Sequence, residues 1–385
     1  MDGDRRAPAP AAAASASAVL GSDDLLREIL LRLGFPHYLV RAALVSKRWL
    51  LHASDPAFLR SFRDLHPPRL LGFCAGYPHS TYKFVPLPQP PELAALSRRA
   101  ASSCNDAFAA RRGQWIKQCR NGHLLMECGS NGSFEYSLLT PLLSGEHVAV
   151  LPQSPLIWMI FLPEDGGCDG ITKVRLSGTG REVRAKVNVL TSGGWGVQTT
   201  AVIEIEPPYP ALRVQKVLPP VHGKIFLVTD FGYTLGLDLM TPHFFILDLP
   251  NGVRSNFMLS CAANSGLYLV NAKEFQISVW LHQMTGDGDG AGGWLLVSAF
   301  CIREACARLD SWVPKDGGGV KVVAVGDNAE FVFLEHAASG AIFYVRLRSK
   351  VVQRYVASRG IDIFPIMMIW PPIFPARNVG HDQLE

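Results

Sequence analysis

The run Gly286-Asp287-Gly288-Asp289-Gly290-Ala291-Gly292-Gly293 has the composition of a phosphate- or cation-binding loop. A phosphate loop ends in Gly-Lys-Ser/Thr and opens a helix whose first N–H groups hold the anion. This run opens onto Trp294-Leu295-Leu296-Val297, which reads as a strand. A calcium loop closes on a Glu at its twelfth position, and none is supplied. The run therefore reads as a hairpin tip. Cys119, His123 and Cys128 are the nearest approach to a metal cluster, but their spacing is irregular and no fourth ligand is near. Structural zinc sites show paired ligands. Asp327-Asn328-Ala329-Glu330 offers two carboxylates, yet Asp and Asn there serve a tight turn between two strands. Gly193-Gly194-Trp195-Gly196 is likewise a turn carrying an aromatic. No Gly-x-Ser-x-Gly, His-Glu-x-x-His or cysteine-nucleophile context occurs. The eleven His are scattered. These residues imply no catalysis, no metal and no cofactor.

Composition bounds the remaining classes. The 385 residues allow two or three domains and a large core. Hydrophobic content is 48% and charged content 18%, as in a globular protein. The formal charge of +4 is too weak and diffuse to argue for a nucleic-acid partner. No run of eighteen apolar residues is present, so no membrane span is expected. Residues 1–20 are rich in Ala, Pro and Ser and read as a disordered arm, with a transit peptide as the alternative. The eight Cys contain no Cys-x-x-Cys pair and read as free thiols of a reducing compartment, cytoplasm or nucleus. The sequon Asn131-Gly132-Ser133 has no meaning without secretion.

The strongest pattern lies in residues 21–66. Leu25, Leu26, Ile29, Leu30 and Leu33 fall at helical spacing, leaving Arg27, Glu28 and Arg32 for solvent. Ser22 can cap this helix, Asp23 and Asp24 suit its N-terminal dipole, and Gly34 and Pro36 end it. Leu39, Ala42 and Ala43 suggest a second short helix, and Val45 with Trp49 a third face. Asp55-Pro56 is a cap followed by Pro at the first helical position, opening a fourth helix with Phe58, Leu59 and Phe62. So small a unit rarely builds a self-sufficient core, so its wide leucine stripe needs a partner surface or the rest of the chain.

This stretch resembles the F-box. The matching residues are Leu25, Leu26, Ile29, Leu30, Leu33, Leu39, Val45, Lys47, Trp49, Asp55, Pro56 and Phe58. It departs twice: the usual Leu-Pro opening is Ser22-Asp23-Asp24, and the usual Cys is Ser46, a small-for-small change. The resemblance implies docking to a Skp1-like adaptor, and through it to a cullin. Leu25, Leu26, Ile29, Leu30, Leu33, Leu39, Val45 and Trp49 are the adaptor-contact candidates. Each could instead pack the helices internally, Val45 above all.

After Pro68 the character changes. A short Ala-rich helical piece runs from Pro91 to Ala101 and another spans Ile302 to Leu309; the rest is short apolar runs broken by Gly, Pro, Asn and Asp. Val183–Leu190, Lys224–Thr229, Phe275–Trp280, Val320–Val325 and Ile342–Leu347 are examples, several strictly alternating. Many strands separated by turns argue for repeated antiparallel sheets. Trp115, Trp158 and Trp195 recur at about forty residues, the length of one propeller blade, so this region would hold roughly six or seven blades. No kelch or WD-repeat signature is present.

This region resembles the β-rich F-box-associated domains of a plant family expanded in grasses. The carrying stretches are Arg120–Leu125, Asn264–Leu269, Val325–Leu334 and Ile369–Pro375. The expected architecture is multidomain α+β: a disordered arm (1–20), a helical F-box (21–66), a propeller-like substrate domain (69–377) and a tail (378–385). The two resemblances together imply the substrate-recognition subunit of an SCF-type ubiquitin ligase. It would do no chemistry itself and would act by bringing a protein substrate near a charged conjugating enzyme. The substrate-binding face is not legible. Two other readings stay open: an F-box scaffold outside a ligase, and a β-domain that binds a small molecule or glycan.

Overall fold

The computed structural model describes the chain except residues 1–20, 78–79, 111–112, 131–132, 144–147, 152–158, 168, 180–181, 205–213, 230–232, 263–265, 284–292, 310–317, 358 and 375–385. It divides into two compact units, Met1–Arg69 with Met368–Glu385, and Leu70–Met367. The Gly-rich run before Gly293, Trp158, and Asn264 with Ser265 lie outside the described residues.

Among the described residues, the first unit holds four short helices: α1 (Asp23–Leu31), α2 (Pro36–Ala43), α3 (Lys47–Ala53) and α4 (Pro56–Leu65). Each capped start follows from its sequence. Ser22 Oγ accepts from Leu25 N at 3.5 Å, Ser46 Oγ from Trp49 N at 3.3 Å, and Asp55 Oδ1 from Phe58 N at 2.8 Å. Ser46, read from sequence as a neutral replacement, is thus the N-cap of α3. Leu26, Leu30, Leu39, Ala43, Ala53, Phe58 and Phe62 form the core, with Trp370 and Phe374 packed against it. The Trp370 ring stacks on Phe62 at 6.0 Å and 8°. The second compact unit ends at Met367, ten residues short of the expected end of the β-domain at residue 377; Trp370 and Phe374 pack on the small helical core, and Met368 N donates to Arg69 O at 2.9 Å.

The second unit holds six antiparallel sheets among the described residues. The first comprises β1 (Leu70–Gly76), β2 (Lys83–Pro86) and β24 (Asp362–Met367), and the second β3 (Gln114–Arg120), β4 (His123–Ser130), β5 (Ser133–Leu139) and β6 (Val148–Val150). The third comprises β7 (Met159–Phe161), β8 (Thr172–Thr179) and β9 (Glu182–Thr191), with β10 (Gly194–Trp195) and β11 (Thr199–Glu204) both on β9. The fourth is β12 (Val214–Val221), β13 (Lys224–Thr229), β14 (Tyr233–Asp238) and β15 (His243–Asp248). The fifth is β16 (Phe257–Cys261), β17 (Leu267–Lys273), β18 (Gln276–His282) and β19 (Trp294–Cys301), and the sixth β20 (Val320–Val325), β21 (Phe331–His336), β22 (Ala341–Arg346) and β23 (Val351–Ala357). Strands follow chain order within each sheet, apart from β11, which pairs with β9, and β24, the last, which pairs with β1, the first. The leading strands adjoin one another: β3 with β24, β24 with β20, β20 with β16, and β16 with β12. The unit is a six-bladed propeller closed by its two ends.

Hydrophobic pattern sorts the strands within a blade. Leading strands alternate, as in β20, where buried Val320, Val322 and Ala324 are separated by less buried residues. Second strands are buried on both faces because blades stack face to face, and they read as continuous apolar runs. Ile225-Phe226-Leu227-Val228 in β13 and Phe331-Val332-Phe333-Leu334 in β21 are such runs. The first blade has only three strands, and helix α5 (Pro91–Ala110) packs on its edge strand β2. Asn105 Oδ1 accepts from Phe84 N at 3.2 Å, giving an edge N–H a partner. This helix runs nine residues beyond its expected end at Ala101. Its second half is rich in Ser, Asn and Asp, weak helix formers, but Cys104 and Phe108 extend the buried stripe of Leu93, Ser97 and Ala100. A further helix, α6 (Arg303–Leu309), falls where the sequence placed one.

Candidate functional sites

On α1, Leu26 and Leu30 point inward and are fully buried; Leu39 on α2 is fully buried too. Leu25 and Ile29 lie one residue earlier, about 100° round the helix. Leu25 is 46% exposed and Ile29 half-buried. Leu33 and Trp49 are half-buried, and Val45 is 65% exposed. Leu44 and Leu51 are also exposed. The start of α1 is held to α3 by charge: Asp23 Oδ1 accepts from Arg48 Nε at 2.8 Å and lies 3.1 Å from His52 Nε2. These hydrogen bonds hold the Asp23 carboxyl below its ordinary value.

In the propeller, the turns joining leading to second strands are laced together. Arg120, at the end of β3, reaches Glu164 at 3.6 Å and Asp327 at 3.9 Å. Asn121 Nδ2 donates to Asp165 O at 2.7 Å, and His222 Nε2 to Gly266 O at 2.9 Å. Gly166 sits at φ +76, and a Cβ there would lie 2.4 Å from His123 Nδ1 and 2.9 Å from Arg120 O. Only glycine lets that loop approach so closely. His123 bonds Asn121 O at 2.8 Å, and burial holds its imidazole below the usual value, hence neutral. His123 and Cys128 lie at opposite ends of β4, while Cys119 donates to Pro365 O at 3.0 Å. The three residues do not converge on a metal site. Burial pushes the Cys74, Cys119 and Cys261 thiols up, Cys261 to about 12 with Asp327 beside it. They are protonated and poor nucleophiles.

A cleft of about 510 Å³ opens among β3, β4, β5, β7 and β12. It lies on the Trp115–Glu127–Tyr136 row, nearer the β4–β5 turn than the β3–β4 turn. Phe134, Tyr136 and Phe161 supply apolar wall. Lys117 Nζ lies 3.4 Å from Glu127 Oε1 and 5.2 Å from the Trp115 ring centre.

A family model for the F-box domain matches residues 22–61, over α1 to α4. A second model, described as F-box protein AT5G49610-like, beta-propeller, matches residues 115–374, more than half of the chain. The chain belongs to that family of F-box β-propeller proteins. Comparison with curated proteins returns no match. Among solved structures, YCF48 from Cyanidioschyzon merolae is 13% identical at a TM-score of 0.37, covering 63% of this chain and 72% of its own. Protein lmo1340 from Listeria monocytogenes EGD-e is 8% identical at 0.33, covering 63% and 82%. A prolyl endopeptidase structure is 12% identical at 0.34; 91% of this chain is covered, but it spans only 54% of that chain.

Within the F-box, burial sorts the candidates: Leu26, Leu30 and Leu39 have no exposed surface and pack in the core. Val45, the residue most readily read as internal packing, is instead among the most exposed apolar residues of the unit. Leu44 and Leu51, outside the candidate set, are exposed as well; for Leu51 the sequence carries a signal, since three consecutive apolar residues, Trp49-Leu50-Leu51, cannot all face inward from a seven-residue helix. Asp23 was read as a dipole partner only; its ties to Arg48 and His52 span the fold and leave no local trace.

Proposed function

We propose that this F-box propeller protein is the substrate receptor of an SCF-type ubiquitin ligase. The F-box docks a Skp1-like adaptor and through it a cullin, and the propeller holds a protein substrate. The chain is non-catalytic and supplies proximity. It works in the cytosol or nucleus, a reading supported by the lack of a disulfide among the seven described cysteines. The observation that carries the proposal is the apolar shoulder on a well-capped F-box. Leu25, Leu44 and Val45 are solvent-exposed and Ile29 and Trp49 half-buried, and the buried core is formed without Leu25, Leu44 and Val45. Apolar anchors around one aromatic are the usual hot spots of helix-mediated interfaces. The test is co-expression with a Skp1-like adaptor, comparing the parent with a Leu25→Asp/Val45→Asp double variant. Capture by the parent and loss in a variant of unchanged melting temperature is the expected result. Equal capture by both would remove the shoulder from the interface, and no capture by the parent would end the ligase reading.

A further inference from the structure

The leading strands adjoin one another at the centre of the propeller, so the last strand of each blade lies at the rim with one backbone edge unpaired in its sheet. Such an edge is a template for another strand, and folded proteins cover it, shorten it or place charge on it. Helix α5 packs on β2. β6 and β10 are three and two residues long. β11 ends in Glu204 and adjoins β15, which itself ends in Asp248. β23 carries Arg354 at its middle and meets α6.

β19 is the exception among the described residues. Its eight residues, Trp294-Leu295-Leu296-Val297-Ser298-Ala299-Phe300-Cys301, include no charge and no proline. Beyond β18, no helix or strand packs on it comparably. Its ends are held by the neighbouring blades: Trp294 Nε1 donates to Asp248 O at 2.6 Å, and Lys350 Nζ lies 5.4 Å from the Phe300 ring centre. Between them, Leu295, Leu296 and Val297 are 65%, 46% and 51% exposed. One edge device is present, a bulge: Trp280 pairs with Leu296 and Val279 with Ser298, so Val297 is the extra residue. It shows valine to solvent where a protected edge shows lysine.

We propose that β19 pairs antiparallel with β19 of a second copy of this chain about a two-fold axis, joining two four-stranded blades into one sheet. Unpaired N–H and C=O groups along an edge call for an extended backbone, because a strand matches their spacing. The lack of charge points to the second copy. A two-fold interface sets a strand against itself, and like charges placed opposite each other oppose the pairing. Arg354 at the middle of β23 would meet its own counterpart in this way, whereas every residue of β19 is uncharged and the exposed ones are mostly apolar. Pairing uses up the edge in both copies, so assembly stops at two. Eight residues of strand are about 27 Å long, a smaller contact than the roughly 800 Å² per partner of a stable complex. The dimer is therefore weak, with a Kd on the order of 10 µM.

The test is sedimentation velocity of the full-length chain from about 1 to about 200 µM, spanning that Kd. Samples are kept reduced, because Cys301 is exposed. The parent should pass from monomer to dimer. Leu295→Lys/Val297→Lys and Leu295→Asp/Val297→Asp should each weaken self-association by about tenfold or more. An equimolar mixture of the two variants should recover it, since opposite charges then meet. Ile246→Lys, at an exposed position on β15, should leave it unchanged. Hydrogen exchange of the β19 amides in the parent should slow as concentration rises, a readout that needs no variant to fold. A parent that stays monomeric throughout would overturn the proposal and leave the edge to a strand of a different protein. Assembly beyond two copies, or a dimer indifferent to both charged pairs, would overturn it as well.

Discussion

At the end of β3, Arg120 is shared between Glu164 and Asp327, Asn121 bonds Asp165 O, and His123 is turned back onto Asn121 O. Two residues before Arg120, Gln118 spends one end of its amide on Leu162 and leaves the other unpartnered. One strand thus treats two neighbouring polar groups in opposite ways. At the turn end, polar side chains bridge the second, third, fourth, fifth and sixth blades, and their bonds are consumed by the fold. At Gln118, a bulge turns the amide onto the Trp115 face, and its buried Nε2 has no hydrogen-bond partner among the described residues. Buried polar groups that satisfy one another hold the fold together; one left unsatisfied costs it stability. α1 repeats the contrast in apolar form, since Leu26 and Leu30 complete the core while Leu25 stays exposed.

The sharpest way to break the turn end is Gly166→Val. The new side chain must adopt φ +76 and place its Cβ on His123 and the Arg120 carbonyl. The expected cost is about 3 kcal/mol, seen as a lower denaturant midpoint of the full chain. Adaptor capture should survive, because the F-box is a separate unit. A neutral substitution would mean the turns are not packed as described.

Next comes the Lys224–Asp238 pair, at the same end of the fourth blade, with side chains 17% and 10% exposed. Burial alone would raise the Asp238 carboxyl. Lys224 and the N–H groups of Thr241 and Met240 outweigh it and hold the group below its ordinary 3.8. A depressed carboxyl contributes stability above its unfolded pKa, and that contribution is lost as pH falls through the folded pKa. Stability should therefore decline from about pH 4 downward in the parent. Asp238→Asn should cost about 2 kcal/mol at neutral pH and flatten that acid limb. An unchanged acid limb in the variant would show that Asp238 carries no such linkage.

Arg120→Met should cost less, about 1 kcal/mol, because Glu164 and Asp327 are nearly half exposed and can recover water. The loss should shrink in molar salt, which screens the parent's ion pairs. A salt-independent loss would assign Arg120 to packing.

How much of this was visible in the sequence depends on the range of each interaction. The four F-box helices follow from i, i+4 spacing and from Ser22, Ser46 and Asp55, because caps and stripes are local. Strands β13, β18, β20 and β22 fall on the runs expected of them, and the blade length gave six or seven blades where six are found. Contacts far apart in sequence were not legible. β24 pairs with β1 across almost the whole domain, and Trp370 closes a helical core more than 300 residues away. Of the candidate contacts, periodicity picked the apolar arc of α1 correctly but could not divide it into core and surface. The orientation of Gln118 left even less trace, since a bulge at Lys117 exists only in the register between two strands.

The smallest stability effect makes the finest test of that division. Leu25 and Leu26 are neighbours on α1, one 46% exposed and the other fully buried. Leu26→Ser removes a packed side chain and buries a hydroxyl, so the F-box should lose several kcal/mol, about 3 or more, and adaptor capture should fail through unfolding. Leu25→Ser removes mainly exposed surface, so the unfolding free energy should hold within about 0.5 kcal/mol of the parent. Adaptor capture should nevertheless weaken, because what Leu25 gives up is desolvation at an interface rather than packing in the core. The informative quantity is the ratio of lost capture to lost stability. A high ratio at Leu25 beside a low one at Leu26 places the interface on the shoulder. Equal ratios would mean that the exposed stripe of α1 faces solvent in the assembled complex as well.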